Sequence, residues 1–165
     1  VNLPGPKMKR PTASEVVFET TCGEFTVSLS EDSPKTAASF QYLAEEGVFD
    51  DTQFHRVVPG FVIQGGDPAG DGTGGPGFSV DEKPPGDTSY TKGVVAMAKT
   101  GAEPPGRSGS QFFVVTGADA GLPPDFAVAG EVSEGIEVVE AIEALGVPGS
   151  EAPSRPAVIE SATAK

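Results

Sequence analysis

Between residues 15 and 30 the chain alternates with a period of two. Val17, Glu19 and Thr21 fall on one side of an extended segment, and Val16, Phe18 and Thr20 on the other. Glu15–Thr21 and Glu24–Ser30 therefore read as two strands, joined by a hairpin turn at Cys22-Gly23. At Ser33 the period changes. Ser33-Pro34 supplies an N-cap followed by proline at the first helical position, and Ala37, Phe40, Leu43 and Ala44 recur at helical spacing. A helix is predicted to run to about Glu46, with Gly47 placed to end it. Gln53–Val58 and Phe61–Gly65 are apolar runs joined by Pro59-Gly60 and read as strands. Residues 66–93 lose all periodicity and are rich in Gly, Pro and Asp, which predicts a long loop of functional or mobile character. Val94–Ala98, Gln111–Val115 and Ala127–Val132 are further short strands, separated by loops at 99–110 and 116–126. Glu134–Leu145 reads as a second helix with Ile136, Val139, Ile142 and Leu145 inward and Gly146 as its stop, and Ala157–Ala162 as a last strand.

Seven or eight short strands with one early and one late helix predict a mainly β, antiparallel architecture, a closed barrel rather than a doubly wound sheet. Residues 1–14 hold three prolines with Lys7, Lys9 and Arg10 and no apolar core, so they read as a flexible linker and not as a signal peptide. The folded domain is expected at 15–165. The chain opens on Val1, which is expected of a processed or trimmed piece.

Composition narrows the chemistry. A length of 165 residues suits one domain. With 11 Lys and Arg against 24 Asp and Glu, the formal charge is −13, the wrong sign for a polyanion or an anionic membrane surface. No nucleic-acid or membrane partner is expected, and no apolar run approaches the ~20 residues that span a bilayer. Cys22 is the only cysteine and His55 the only histidine, which removes intramolecular disulfides, Cys-rich zinc sites and His-pair metal sites. Gly70-x-Gly72-x-x-Gly75 matches a dinucleotide fingerprint as a string, but Pro76-Gly77 follows where a helix N-terminus is needed. A calcium loop starting at Asp67 would put Ala69 and Phe78 at ligand positions. A hydrolase would have only His55 as base, in an apolar strand, with no G-x-S-x-G element. No metal and no cofactor are expected.

One cluster remains that no packing rule requires. Arg56 lies inside an apolar strand, where alternation puts it on one face with Phe54, and His55 with Val57 on the other. On the next strand Val62 and Gln64 share a face opposite Phe61, Ile63 and Gly65, and on a later one Gln111 and Phe113 share a face. An arginine, two glutamines and several phenylalanines could converge on one shallow surface; the plainer alternative is that Arg56 pairs with one of the 24 acidic side chains.

Phe54-His55-Arg56-Val57-Val58-Pro59-Gly60-Phe61-Val62-Ile63-Gln64-Gly65-Gly66-Asp67, Gly93-Val94-Val95-Ala96-Met97-Ala98 and Ser110-Gln111-Phe112-Phe113-Val114 resemble, in this order, the signatures of the cyclophilin-type peptidyl-prolyl cis–trans isomerases. The resemblance covers Glu15 to Ala162. It implies a closed eight-stranded antiparallel β-barrel capped by two α-helices, with a packed interior and a site on its outer face. It implies that Arg56, Gln64 and Phe113 are catalytic. Phe61, Val62, Leu122 and Phe126 would wall a proline pocket, Gln111 would hydrogen-bond substrate, and Ala98 and Lys99 would receive peptide backbone. The implied partners are proline-containing polypeptides, met by a monomer without a cofactor. Many members carry Met or Leu at Val62, Asn at Lys99, Trp at Gly121 and His at Phe126, and the loop Thr100–Ser108 is longer than in short eukaryotic members. These departures resemble bacterial branches and imply weak binding of cyclosporin, the family's cyclic-peptide inhibitor. Two other readings remain beside the isomerase: a proline-peptide-binding module without turnover, and a hollow ligand-holding barrel. The lone cysteine suits either compartment, with the cytoplasm preferred to export or anchoring through a missing upstream segment.

Overall fold

The computed structural model describes residues 1–165. Eleven strands and two helices follow one another along the chain: β1 (Glu15–Thr20), β2 (Gly23–Leu29), α1 (Pro34–Glu45), β3 (Thr52–Gln53), β4 (Arg56–Val58), β5 (Val62–Gly65), β6 (Val80–Asp81), β7 (Val94–Met97), β8 (Arg107–Ser108), β9 (Phe112–Val115), β10 (Val128–Glu134), α2 (Ile136–Glu143) and β11 (Val158–Ala164). Nine of the strands form one sheet in the order β3-β11-β1-β2-β10-β7-β9-β5-β4, and β6 pairs with β8 beside it. Every pairing is antiparallel.

The fold is the mainly β, two-helix architecture expected, with one correction. The sheet curls around its core but carries nine strands rather than eight, and its edge strands β3 and β4 do not pair with each other. The reason lies at Phe54-His55, between the two edges. The run Gln53–Val58, expected as one strand, breaks there because the Phe54 ring turns into the core and its N–H goes to the carbonyl of Ala157. The break resets the alternation. Phe54 and Val57 are both fully buried while Arg56 stays on the outer face, so Arg56 does not share a face with Phe54. The two-residue strands β6 and β8 fall in segments that read as loops, and they are too short to show a period.

The interior is packed with aromatic rings. Phe112 sits 5.6 Å from Phe18, 5.4 Å from Phe40, 5.3 Å from Phe49 and 6.0 Å from Phe54, with edge-to-face geometry to the last three. Phe25 stacks on Phe18 at 5.0 Å. These rings belong to a core of 25 buried residues that fills the space a hollow ligand-holding barrel would need to leave open. Helix α1 contributes Ala37, Phe40, Leu43 and Ala44, the stripe read from its sequence; α2 buries Val139 and Ile142, with Ile136 and Leu145 packed at the margin.

Ser33 does occupy the N-cap of α1, but its side chain makes no capping bond. The Glu82 carboxylate does so instead, accepting the N–H groups of Lys35 (3.1 Å) and Thr36 (2.8 Å) and the Thr36 hydroxyl (2.6 Å). An anion at this end satisfies orphan donors and complements the helix dipole. Residues 1–14, read as a flexible linker, carry no helix or strand and run along the domain. Thr12 and Ala13 donate to the Gln41 side chain, the Tyr42 hydroxyl donates to the Pro4 carbonyl, and Leu3 donates to Pro76.

His55 is half-buried, and its Nδ1 is buried without a hydrogen-bond partner. Burial pushes its pKa below 6.5; Arg56 adds to this, and Asp67 and Asp71 oppose it. The unfolded chain thus holds the proton more tightly. Stability is full above the unfolded value and is lost as pH falls through it toward the lower folded value. Carboxylates contribute only further down, so the chain's only histidine should account for a decline in unfolding free energy between about pH 6.5 and pH 5. Urea titrations across that range should show the decline, and His55→Gln should remove it; an equal slope in the variant would contradict the assignment. Phe112→Ala should lower unfolding free energy by about 3–5 kcal/mol, because the four surrounding rings cannot collapse into the space. A loss under about 1 kcal/mol in the same assay would show that Phe112 is not central to the packing.

Candidate active site

Opposite the aromatic core, the outer face of the sheet presents a row fixed by register. Arg56 on β4 pairs with Gln64 on β5, Gln64 with Phe113 on β9, and Phe113 with Ala96 on β7. The adjacent Phe112 points inward, so a single step along β9 separates the core from this surface. A second apolar cluster covers the surface, built on Val62, Tyr90, Ala96, Phe113 and Val115, with Phe61, Ala98, Leu122 and Phe126 packed against it.

A cleft of about 250 Å³ opens here, lined by Arg56, Phe61, Val62, Gln64, Ala98, Lys99, Phe113, Leu122 and Phe126. Nine of the residues singled out from sequence thus meet at one place. Gln111, the tenth, lines an adjoining groove of about 610 Å³ that shares Gln64, Ala98 and Lys99 with the cleft and is walled by the glycine loop at 72–77. Phe61 joins the cleft from the turn before β5, where strand alternation no longer governs its direction, although its sequence parity puts it with Ile63. Neither serine, cysteine nor histidine lines the cleft.

Polar side chains run through the site in one hydrogen-bonded line. Gln111 Nε2 donates to the carbonyls of Gly72 and Gly74, both at 3.0 Å. Facing two carbonyls, its amide must present the NH2 group there, which leaves Oε1 to accept from Gln64 Nε2 at 3.2 Å. The Gln64 amide is thereby oriented with Oε1 toward Arg56, whose Nη1 donates to it at 3.3 Å. Arg56 Nε donates to a Glu151 carboxylate oxygen at 2.7 Å. The guanidinium also lies 5.8 Å from the centre of the Phe61 ring. Arg56 therefore does pair with a carboxylate, yet it still lines the cleft with donors to spare.

Phe126 forms the far wall. It meets Phe113 edge-to-face at 5.6 Å and Tyr90 at 6.0 Å, and the Lys99 ammonium lies 5.4 Å from its ring centre. The buried Tyr90 hydroxyl donates to the Phe126 carbonyl (2.7 Å) and accepts its N–H (3.0 Å), clamping the backbone of that wall. Burial raises the Tyr90 pKa. Lys99 Nζ also donates to the carbonyls of Thr100 and Glu103, both at 3.3 Å.

The loop beyond the groove, read as mobile, is pinned by Asp67. Its carboxylate is fully buried and accepts the N–H groups of Ala69 (2.8 Å), Asp71 (3.1 Å) and Gly72 (2.5 Å). Burial alone would raise the Asp67 pKa; the backbone donors, with Gly74 among them, more than reverse this and hold it below the ordinary carboxylate value. Tyr90 and Glu151 carry no sequence signal. Tyr90 stands in the aperiodic segment, and Glu151 lies 95 residues from Arg56 in a Gly/Ser/Pro-rich turn.

Comparison with known proteins identifies the family and the fold. The family model for the cyclophilin-type peptidyl-prolyl cis-trans isomerases matches residues 15–164. A peptidyl-prolyl cis-trans isomerase-like 1 protein of Aspergillus fumigatus is 38% identical over 133 residues, covering 78% of this chain and 81% of the relative. Peptidyl-prolyl cis-trans isomerase A of Mycobacterium tuberculosis is likewise 38% identical, covering 88% of this chain and 89% of the relative. Among solved structures, a Cryptosporidium parvum cyclophilin-type isomerase crystallised in the presence of the dipeptide Ala-Pro superposes with a TM-score of 0.83 at 28% identity, covering 92% of this chain and 98% of its own. The matched sequence and the shared topology place the chain in one family: it belongs to the cyclophilin-type peptidyl-prolyl cis-trans isomerases.

Proposed function

We propose that the chain accelerates cis–trans rotation about X–Pro bonds in polypeptides, with the catalysis centred on Arg56 and the proline ring seated in the apolar cleft. The observation that carries this reading is a guanidinium held on one side by fixed partners while it borders a pocket of aromatic and aliphatic side chains. Rotation of the amide faces a barrier near ~20 kcal/mol and breaks no covalent bond, so it needs no nucleophile. As the bond twists, amide resonance is lost and the nitrogen lone pair becomes available to accept. A donor aimed at that nitrogen binds the twisted state more tightly than either planar one, which is the requirement for catalysis. Arginine suits the task because it stays charged and its donors form a rigid fork. Phe61, Val62, Phe113, Leu122 and Phe126 would hold the ring and exclude water. Gln64 and Gln111 would grip carbonyls, and the Ala98–Lys99 edge would align the peptide backbone. A gain of about 10⁵ requires only ~7 kcal/mol of such differential stabilisation. Residues 15–165 would act as one monomeric unit that assists folding of proline-containing clients.

Arg56→Ala should lower kcat/KM on a cis-enriched proline tetrapeptide by about a hundredfold or more in a protease-coupled assay, while the unfolding transition is retained. Near-normal turnover in the variant would overturn the mechanism. Wild-type binding of the peptide without any turnover would favour the alternative of a non-catalytic module.

Cyclosporin should bind weakly. Sensitive members of the family place an indole at the position of Gly121, where its N–H bonds the drug, and this chain has no tryptophan. Losing that hydrogen bond costs about 0.5–1.5 kcal/mol and losing the aromatic contact about as much again, roughly ten- to a hundredfold in affinity. A Cβ at Gly121 would meet nothing within 4 Å, but φ is +66°, so a side chain can start there at a backbone cost of about 1 kcal/mol or more. Inhibition titrations should show weak binding by the native chain and tighter binding by Gly121→Trp. Nanomolar inhibition of the native chain would show that the rim does not set the affinity.

A further inference from the structure

We propose that Glu151 is a positioning residue for Arg56: the loop at 146–156 exists in this chain partly to set the angle of the guanidinium. The inference rests on the isomerase reading above. Two bonds tie Glu151 to adjacent residues of β4. Its carboxylate accepts from Arg56 Nε at 2.7 Å, and its main-chain carbonyl accepts from Val57 N, also at 2.7 Å. The loop that carries it is braced on both sides, with Ser154 N donating to the Leu145 carbonyl at 2.7 Å and Ser150 N to the Val147 carbonyl at 3.0 Å. The carboxylate is therefore presented from backbone that is itself bonded to the strand bearing Arg56.

Donor accounting gives this contact its purpose. The guanidinium has five N–H groups. Glu151 takes the one on Nε and Gln64 one of the two on Nη1. The bonds lie on separate nitrogens of one plane, so together they fix its rotation. Three N–H groups are left free of protein partners for the cleft. Gln64 alone, at 3.3 Å, would leave the plane able to pivot about the single bond. Glu151 does not line the cleft, so its action on substrate would pass through Arg56. Its side chain is 67% exposed, which makes the pair a weak contributor to stability and a salt-sensitive one.

The test uses the full chain with Glu151→Ala, Glu151→Gln and, as a control for net charge, Glu160→Ala. Two readouts are needed: kcat and KM on the proline tetrapeptide at low salt and in ~0.5 M NaCl, and ¹⁵N relaxation of the Arg56 Nε–H. Glu151→Ala should lower kcat by about five- to tenfold with KM changed less than about twofold, and should lower the Nε order parameter. Glu151→Gln keeps an acceptor and should restore most of both, with less salt dependence than the wild type. An unchanged kcat and order parameter in Glu151→Ala, an equal fall in Glu160→Ala, or a change confined to KM would overturn the proposal. If the wild type itself shows no turnover, the isomerase reading fails, and the order parameter alone decides whether Glu151 holds Arg56.

Discussion

Everything at the outer face depends on the burial of Phe112. Four rings close around it, and a side chain with so many contacts cannot leave the interior without exposing them all. In a pleated strand the next residue must point the other way. Phe113 is therefore outside because Phe112 is inside, and the register of β9 with β5 and β7 then sets Gln64 and Ala96 beside it. A slip of one residue would put Gln64 into the core and dismantle the site. The stability of the core and the geometry of the cleft are two consequences of one alternation.

On that frame, orientation is passed along by hydrogen bonding. The carbonyls of Gly72 and Gly74 dictate which way Gln111 faces, Gln111 dictates Gln64, and Gln64 dictates one edge of Arg56. The polarity has a start, in a loop whose backbone is held by the buried Asp67 carboxylate, and an end, at a cation. Glu151 meets that cation from the other side. The line runs from the glycine loop to the loop that carries Glu151, so an apparently soft region of glycines helps set the direction of a rigid group. Such preorganisation is what electrostatic stabilisation of a twisted amide requires, since a donor that must reorient during the reaction gives back part of what it gains.

Val62, Lys99 and Phe126, with Leu122 just after Gly121, line the cleft. Phe126 closes it by packing on Phe113 and Tyr90, and Lys99 lies over the Phe126 ring while bonding two carbonyls of its own loop. These contacts hold the rim in place. In a chain of formal charge −13, it also keeps two cations, Arg56 and Lys99, at the one surface proposed to receive a peptide.

Sequence alone determined the parts of this protein that repeat a period or a motif. The alternation of β1 and β2, the apolar stripe of α1 and the ordered motifs around Arg56, Gln64 and Phe113 are local signals, and each survives in the fold because packing agrees with it. Tertiary structure decided what depends on partners remote in the chain. Phe54 leaves its strand because the core has room for its ring, which opens the barrel and reverses the parity expected for Arg56. Glu82 rather than Ser33 caps α1 because a carboxylate 46 residues from Thr36 is brought to the helix end. Glu151 and Tyr90 join the site in the same way, across loops with no period of their own. Side-chain spacing along a strand or helix is written in neighbouring residues; the meeting of two loops is set only when the chain closes around a common core.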